Sequence, residues 1–164
     1  MRAFCSMTIL ALVLLALPAA AQSYDWSNVG SVGIIQAGIG HDFTGPTFSH
    51  SAFRTGTLTA RYPVTNTYGS GNSKTPPWTT LTASYTDNSN LGSVTTRLVE
   101  VDKCNNTETT ICTITSSDDA NPHCSTCSFS SSTFDFANNT YYVEVKIART
   151  STSATEALHS VGVN

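Results

Sequence analysis

The stretch YYVEVKIAR, residues 141–149, alternates apolar and charged side chains. Every second residue from Tyr141 to Ile147 is apolar, whereas Glu144 and Lys146 occupy positions between them. Because successive side chains of a β-strand point to opposite faces, this pattern places the apolar set on one face of a sheet and the charged pair on the other. The segment therefore predicts a strand with one buried face and one solvated face.

The same alternation recurs along the rest of the chain. Leu58–Val64 and Leu81–Tyr85 alternate apolar and polar residues, and clusters of Gly, Asn, Asp and Pro separate such runs. Beyond residue 21, no segment of ten or more residues carries helical periodicity, and the frequent Thr, Val and Tyr disfavour helix. The predicted strands are 31–36, 47–54, 57–64, 79–86, 93–102, 109–116, 127–136, 140–149 and 157–163.

This distribution of short strands predicts the fold class. Strands that recur about every ten to twelve residues, with turns between them, are typical of an antiparallel β-sandwich. We therefore expect an all-β, jelly-roll-like sandwich of about eight or nine strands, in preference to a closed barrel. In one strand the apolar set changes parity between Leu98 and Val99, which predicts a β-bulge or a strand buried on both faces.

The N-terminal segment, residues 1–21, has the pattern of a secretory signal peptide. Arg2 precedes a short apolar run, 9–17, and small residues up to Ala21 form a cleavage site. The apolar run is too short to span a bilayer comfortably. We expect cleavage to leave one domain, 22–164, that is secreted or periplasmic and not inserted in a membrane.

The charge of the remaining chain argues against one class of partner. Without Arg2, seven basic residues stand against eleven acidic ones, a net charge of −4 with neutral histidines. Proteins that bind nucleic acid through its phosphates need clustered cations. We therefore expect no nucleic-acid partner.

Loss of Cys5 with the signal peptide leaves an even number of cysteines. They are Cys104, Cys112, Cys124 and Cys127. In an oxidising compartment an even count favours two disulfides. Cys104 and Cys112 flank a turn between two predicted strands, so they can pair across a hairpin, with Cys124 and Cys127 closing a tight second loop. The alternative is a pair of crosslinks between this hairpin and the 121–127 loop, and both alternatives stay open.

The stretch NPHCSTCSF, residues 121–129, is also compatible with thiol chemistry or zinc. A redox Cys-x-x-Cys needs a helix after its first thiol, but a strand-like segment follows here. Four thiolates, or three with His123, would suit zinc, although only the pair in this stretch has the usual spacing. We interpret the stretch as a disulfide-bonded loop that enters a strand, and keep a zinc-stabilised domain as an alternative.

Candidate catalytic and cation-binding groups are scattered. His41 and Asp42 are adjacent, so in a strand they point to opposite faces, and no nucleophile motif accompanies them. The 118–123 loop and the Asp87–Asn90 turn carry oxygen ligands, but neither fits a calcium-loop pattern and both are explained as turns. A small exported hydrolase or metal-dependent enzyme that uses His41, Asp42 or the 118–123 loop remains the alternative from another functional class.

Three aromatic residues are candidate ligand-binding groups. Tyr24 and Trp26 lie near the predicted mature N-terminus, and Trp78 follows two prolines. Flat rings exposed on loops would suit a sugar. The alternative, which we favour for Trp78, is that its ring opens the strand 79–86 and covers the core, because large amphipathic rings are usually well buried.

Strong strand patterning without a convergent catalytic or cofactor signature favours a non-catalytic exported module. The layout resembles, at the level of fold alone, secreted bacterial β-sandwich modules, including carbohydrate-binding ones. We expect a binding, structural or adhesive role at the cell surface or in the extracellular matrix. The expected partner is a polysaccharide or another surface protein, and no cofactor, metal or enzymatic activity is expected.

Overall fold

A computed structural model describes residues 25–37, 40–67 and 75–164. The predicted signal peptide and Tyr24 lie outside these residues. Within them are eleven strands and one 3-10 turn, Gly30–Val32, and no helix long and apolar enough to cross a membrane. The strands are β1 Trp26–Val29, β2 Ile34–Ala37, β3 His41–Thr44, β4 Thr47–His50, β5 Gly56–Val64, β6 Thr80–Asp87, β7 Gly92–Asp102, β8 Glu108–Thr115, β9 Asp119–Ser128, β10 Asn139–Arg149 and β11 Glu156–Val163.

The strands form two antiparallel sheets. Sheet A has the order β3-β4-β11-β6-β9, and β1 also pairs with β11. Sheet B has the order β2-β5-β10-β7-β8. The chain is thus an all-β sandwich, as the alternation predicted, although the described residues hold more strands than the eight or nine expected.

The core lies between the sheets and is built by the alternating apolar positions. On β10 the inward set from Tyr141 to Ile147 is almost fully buried, and on β5 the inward set includes Leu58 and Tyr62. Sheet A contributes Leu81 and Leu158, which have no exposed surface. Burial of such side chains contributes about 25 cal/mol per Å² of apolar surface, so this shared core stabilises the pairing of the two sheets.

Three predicted strand boundaries need correction. The segment 31–36 begins with the 3-10 turn, so β2 starts only at Ile34. The segment 47–54 ends early, at His50. The segment 127–136 is wrong over most of its length, because β9 covers Asp119–Ser128 and a turn-rich loop follows.

The predicted parity change at Leu98 and Val99 corresponds to burial on both faces of β7, and a β-bulge lies beside it in β8. In the pairing of β7 with β8, Leu98 lies opposite Cys112 but Val99 lies opposite Thr110, so Ile111 is the extra residue. In the pairing of β7 with β10 the register is regular. Val99 therefore lies on the outer face, and it is nevertheless fully buried.

The two ends of the sandwich differ in chemistry. At one end a cluster of rings, here called the aromatic end, packs between the sheets; it comprises Trp78, Phe129, Phe134, Phe136 and Tyr141. The opposite end, here called the polar end, holds buried ionisable side chains; they are His50, Asp87, Arg149 and Glu156. The strand directions place the 88–91 and 150–155 turns at the polar end.

A disulfide joins the two sheets along one side. Cys112 of β8 is bonded to Cys127 of β9, with their Cα atoms 6.1 Å apart. Because β8 and β9 are the last strands of sheets B and A, the bond links two edges. Closing a loop of 15 residues in sequence stabilises a fold by about 3 kcal/mol in the chain-entropy model.

This pairing corrects the local disulfide prediction. Cys112 bonds with neither of the partners that a Cys104–Cys112 and Cys124–Cys127 arrangement requires, and one bond forms where two were expected. Cys104 and Cys124 are exposed free thiols. The observed bond is one crosslink of the second kind, between the hairpin and the 121–127 segment. That segment belongs to the edge strand β9 and is not a loop. Its Pro122 is tolerated because the free edge of a strand needs no backbone N–H donor.

Candidate functional site

The outer face of sheet A is covered by small hydroxyl-bearing side chains, and we call it the hydroxyl face. The inward positions of β6 are buried, so the intervening positions point outward. Their partners on β9, β11 and β1 share this face by register. Its members are Ser27, Thr47, Thr80, Thr82, Ser84, Thr86, Thr126, Ser128, His159, Ser160 and Gly162, and Val29, Cys124 and Ala157 also lie on this side of the sheet.

A shallow groove of about 290 Å³ crosses this face over β11. Ser27 of β1 and Thr82 of β6 flank Gly162 in the paired register, so they form the two sides of the groove. Asp25 and Asn164 close it toward the aromatic end. The lining thus offers hydroxyl, amide and carboxylate groups, which are hydrogen-bonding partners for a polar ligand.

Local sequence explains why the groove lies over β11. The register of β11 against β6 shifts between Leu158 and Ser160, so both His159 and Ser160 face outward. Two positions further on, Gly162 has no side chain. A Cβ there would lie 3.4 Å from the Trp26 carbonyl oxygen and 3.7 Å from Ser27 Cβ, which is ordinary contact. The missing side chain leaves the depression.

His159 extends the hydroxyl face beyond the groove. Its Nε2 lies 2.8 Å from Thr86 Oγ1, and its Nδ1 lies 3.3 Å from Thr47 Oγ1. Burial lowers the pKa of His159 below its ordinary value, so the ring is neutral at pH 7. A neutral imidazole both donates and accepts a hydrogen bond, which makes it a suitable centre for this hydroxyl pair.

The outer face of sheet B is charged instead. Glu144 is almost fully buried among three cations. Its Oε1 lies 2.8 Å from Arg97 and 3.4 Å from Lys146, and its Oε2 lies 3.1 Å from Arg61. The Arg61 guanidinium also lies 4.3 Å from the centre of the Tyr142 ring. Because all three cations contact Glu144, we interpret the cluster as one that stabilises sheet B.

Trp26 and Trp78, two of the three aromatic candidates, are buried and do not form an exposed binding surface. Trp78 is 1% exposed and makes edge-to-face contacts with Phe134 and Phe136 at 5.1 and 6.4 Å, so the core-covering alternative holds. Trp26 lines the groove but is only 5% exposed. The expectation that either ring is presented to a ligand is therefore corrected, because both fill the space between the sheets. Tyr24 lies outside the described residues.

The candidate catalytic groups do not converge. Asp42 accepts a hydrogen bond from Ser51 at 2.9 Å, whereas His41 points to the other face of β3 and contacts Phe43. His123 lies 3.8 Å from Asp119 on β9, and both are exposed. Since β3 and β9 are the opposite edges of sheet A, the two groups lie apart.

The metal alternatives lose their main ligands. The Cys112–Cys127 bond removes two of the four thiolates that a zinc site would use. Within 25–37, 40–67 and 75–164, no group of three or more His, Cys, Asp or Glu side chains is placed to hold a metal ion. The disulfide prediction is confirmed for Cys112 and Cys127, whereas Cys104 and Cys124 are free thiols.

Sequence reasoning missed the groove. The alternation of Thr82 with buried neighbours was visible, and it marked a solvated face. Three distant strands, however, are brought together at Gly162 only by the strand order of sheet A. Ser27 and Thr82 are more than fifty residues apart in sequence, so no local pattern predicts that both lie beside Gly162.

No protein-family model matches the chain. A search of curated proteins finds no match either. Among solved structures, the chain is similar to a family two carbohydrate esterase from Cellvibrio japonicus, with 13% identity over 84% of this chain and 32% of that chain and a TM-score of 0.41. It is also similar to a structure that explains the promiscuous specificity of carbohydrate-binding modules from the β-sandwich superfamily, with 9% identity, coverage of 87% and 55%, and a TM-score of 0.44.

A third similar structure is CBM29_1, a family 29 carbohydrate-binding module from Piromyces equi. Identity is 10%, coverage is 85% of this chain and 91% of that chain, and the TM-score is 0.34. The chain spans about a third of the esterase and about half of the second structure. At these identities and TM-scores, no individual residue, ligand or activity of the three structures is transferred to this chain.

Proposed function

We propose that this chain is an exported, non-catalytic module that binds polysaccharide through the groove and the surrounding hydroxyl face of sheet A. The observation that carries the proposal is the groove itself, since it is a depression lined by Ser27, Thr82, Ser160, Asn164 and the bare backbone of Gly162. Sugars present many hydroxyl groups in fixed positions, and such ligands are recognised by convergent neutral hydrogen-bonding groups.

The regular spacing of the hydroxyl face supports an extended ligand. Neighbouring strands lie about 4.8 Å apart, and same-face residues along a strand lie about 6.8 Å apart. Thr82 and Thr126 are cross-strand partners, as are Thr80 and Ser128, so the hydroxyls form a two-dimensional array. An array of this kind suits a repeating polymer better than a single small molecule.

The composition of the groove supports binding without reaction. Asp25 is its one carboxylate, and no histidine or cysteine lines it. General acid–base hydrolysis of a glycosidic bond commonly uses a pair of carboxyl groups that flank the bond. Export is supported by the Cys112–Cys127 disulfide, because such bonds persist in oxidising compartments.

The decisive experiment fills the groove without weakening the fold. Gly162→Val adds a side chain where the Cβ meets no close neighbour, and valine is favoured in strands. We expect at least tenfold weaker retention on an insoluble polysaccharide panel, with an unchanged melting temperature. Ala148→Val, a similar enlargement on the outer face of sheet B, is the matched control and should bind normally.

Hydroxyl deletions give a graded version of this test. Ser27→Ala or Thr82→Ala should each weaken binding about fivefold, the effect of a lost hydrogen bond of about 1 kcal/mol. Thr59→Ala on sheet B is the control. If the unaltered protein is retained on no polysaccharide or glycan array, the proposal is wrong.

A structural or adhesive role is the second candidate, and the edge strand β9 favours it. One side of β9 pairs with β6, and most of its residues are exposed. Exposed edges invite pairing with another chain, and the free thiol of Cys124 lies on this strand. A mature protein that stays monomeric at high concentration, with and without Cys124→Ser, would exclude this role; Cys104→Ser is the control.

A further inference from the structure

The basic residues are divided unequally between the two sheets. None of the described strands of sheet A contains a lysine or an arginine. Sheet B carries the basic residues of the described strands, which are Arg61, Arg97, Lys146 and Arg149. Acidic residues, by contrast, occur in strands of both sheets. A negatively charged ligand therefore meets no cation from these strands on the outer face of sheet A.

The other basic residues that the structure describes are Arg54 and Lys103, and neither lines the groove. Lys103 donates hydrogen bonds from its Nζ to the carbonyl oxygens of Phe136 and Ala137 at 2.7 and 3.0 Å. Arg54 lies in the loop between β4 and β5, at the polar end of the sandwich. His159 on the hydroxyl face is uncharged at pH 7, because burial lowers its pKa. The described residues thus give the groove and the hydroxyl face no positive charge.

Asp25 gives the groove a negative charge. Its side chain is exposed where the groove closes toward the aromatic end, and no ion pair among residues 25–37, 40–67 and 75–164 involves it. Ser27 and Thr82, on the two sides of the groove, are neutral donors and acceptors. A carboxylate attracts an ammonium group and repels another anion. A uronate or a sulfate ester bound here would lose water without gaining a cationic partner.

We propose that the groove selects polysaccharides by charge, and that its ligand class is a chain with free amino groups. This inference rests on the proposed binding function and specifies the ligand of the same site. An ammonium group of the bound sugar pairs with Asp25, while the hydroxyls of Ser27 and Thr82 bind sugar hydroxyls as they do in a neutral chain. The affinity therefore falls in the order amino-bearing, neutral and anionic polysaccharide.

The contribution of charge to the affinity is modest, because Asp25 is exposed to water. An exposed ion pair changes an equilibrium constant by about two- to fivefold, and a like charge at the same place has a similar effect of opposite sign. Salt at about 0.5 M screens such pairs, since the screening length is then about 4 Å. Hydrogen bonds between neutral groups are not screened in this way. Salt dependence therefore separates the charge effect from the binding of the sugar itself.

The experiment compares three derivatives of each neutral polysaccharide in an insoluble panel. Hydroxyethyl, aminoethyl and carboxymethyl groups, introduced to the same degree, are similar in size and differ in charge. Depletion isotherms at pH 7 in low salt give the affinity of the protein for each derivative. We expect the aminoethyl form to bind about threefold more tightly than the hydroxyethyl form, and the carboxymethyl form about threefold more weakly. In about 0.5 M salt the three affinities should become equal.

Substitutions at Asp25 test whether the groove is responsible. Asp25→Asn should abolish the difference between the aminoethyl and hydroxyethyl forms, and Asp25→Lys should make the carboxymethyl form the tightest. The readout is the ratio of two affinities, so a general change in sugar binding caused by the substitution cancels. Asp118→Asn is the matched control, since it removes an equal charge from an exposed site at the polar end and should keep the ratio of the unaltered protein. Melting temperatures verify that the variants fold.

The outcomes separate this inference from the proposed function. Retention on no derivative of any polysaccharide contradicts the binding function, and this inference with it. Binding that is equal for the three derivatives in low salt, or strongest for the carboxymethyl form, leaves the binding function intact and overturns the selection by charge. A charge effect that persists in Asp25→Asn, or that falls equally in Asp118→Asn, assigns the effect to the net charge of the protein and overturns the role of the groove.

Discussion

Glu144 and Glu156 are both almost fully buried, with 3% and 2% of their surfaces exposed, yet their surroundings differ. Glu144 lies within 3.4 Å of nitrogen atoms of Arg61, Arg97 and Lys146. Glu156 faces another acid and has no hydrogen-bond donor among the described residues. A buried carboxylate with cation partners supports the sheet around it, whereas one that faces another acid favours the protonated form, in line with the raised pKa of Glu156.

Replacement of each glutamate by glutamine gives the largest contrast. Glu144→Gln should lower the free energy of unfolding by about 2 kcal/mol, because it leaves three cations without their counter-charge, and their partial exposure limits the cost. Glu156→Gln should cause no loss, since a neutral amide removes the repulsion with Asp87. Urea denaturation at pH 7 measures both. Equal losses of unfolding free energy in the two variants would contradict the expected difference between the two glutamates.

A steric change at Glu156 should have the next largest effect. Gly92→Ala should destabilise the protein by about 1 to 2 kcal/mol, because the new Cβ overlaps the Glu156 carboxylate. In a Glu156→Ala background the same change should cost much less. Gly162→Ala is the control, since its Cβ meets only ordinary contacts. A cost that is independent of residue 156 would show that the two do not interact.

The pH dependence of the two acids should have opposite signs. Burial opposes ionisation of Glu144, but hydrogen bonds from Arg61 and the charges of Arg97 and Lys146 hold its pKa below the ordinary value. Its contribution is therefore present above the unfolded pKa of about 4.5 and is lost as the pH falls through the folded pKa. The stability advantage of the unaltered protein over Glu144→Gln should shrink below pH 4.5.

For Glu156 the folded pKa is raised by burial and by Asp87. Its favourable contribution is present below the unfolded pKa of about 4.5 and is lost as the pH rises through the folded pKa. Urea denaturation should therefore show the free energy of unfolding of Glu156→Gln rising relative to the unaltered protein as the pH rises above 4.5. A constant difference across this range would contradict the raised pKa.

Single cation deletions around Glu144 should have the smallest effects. Arg97→Gln should cost about 1 kcal/mol, since Arg97 binds Glu144 through both Nε and a terminal nitrogen. Lys146→Gln should cost less than about 0.5 kcal/mol, because the lysine is 47% exposed and its single contact is 3.4 Å long. The Arg97 effect should survive 0.5 M salt better than the Lys146 effect, and denaturation at two salt concentrations measures this.

Alternation was sufficient to predict the faces of the central strands. The pattern of residues 141–149 correctly assigned Tyr141 and Val145 to the inner face and Glu144 to the outer face, but the predicted solvation of the outer face is wrong at Tyr142 and Glu144, which are buried. It could not predict that Arg61 and Arg97 converge on Glu144, because that depends on which strands are neighbours. Glu156 lay just before the predicted strand 157–163, and its partner Asp87 looked like part of a turn, so their pairing was not predicted.

Edge strands were predicted least well. Pro122 suggested a loop, but β9 uses its other side for pairing and so accommodates proline where no hydrogen-bond partner is needed. Trp78 follows two prolines, and the favoured prediction that its ring covers the core is confirmed, because the ring packs beside Phe134 at the aromatic end. For Pro122 the local signal was wrong about the backbone, because sequence does not show that β9 has a free edge; for Trp78 the usual burial of large rings indicated the correct environment.

The crosslink between β8 and β9 has a consequence for how the sandwich opens. The Cys112–Cys127 disulfide joins the two sheets at the edge formed by β8 and β9. Any fluctuation that separates the sheets must therefore begin at the other edge, where β2 and β3 lie. Amide exchange should therefore be faster in β2 and β3 than in β8 and β9, and reduction of the bond should remove the difference. We therefore expect proteases to cut β2 and β3 before β8 and β9 in the oxidised protein.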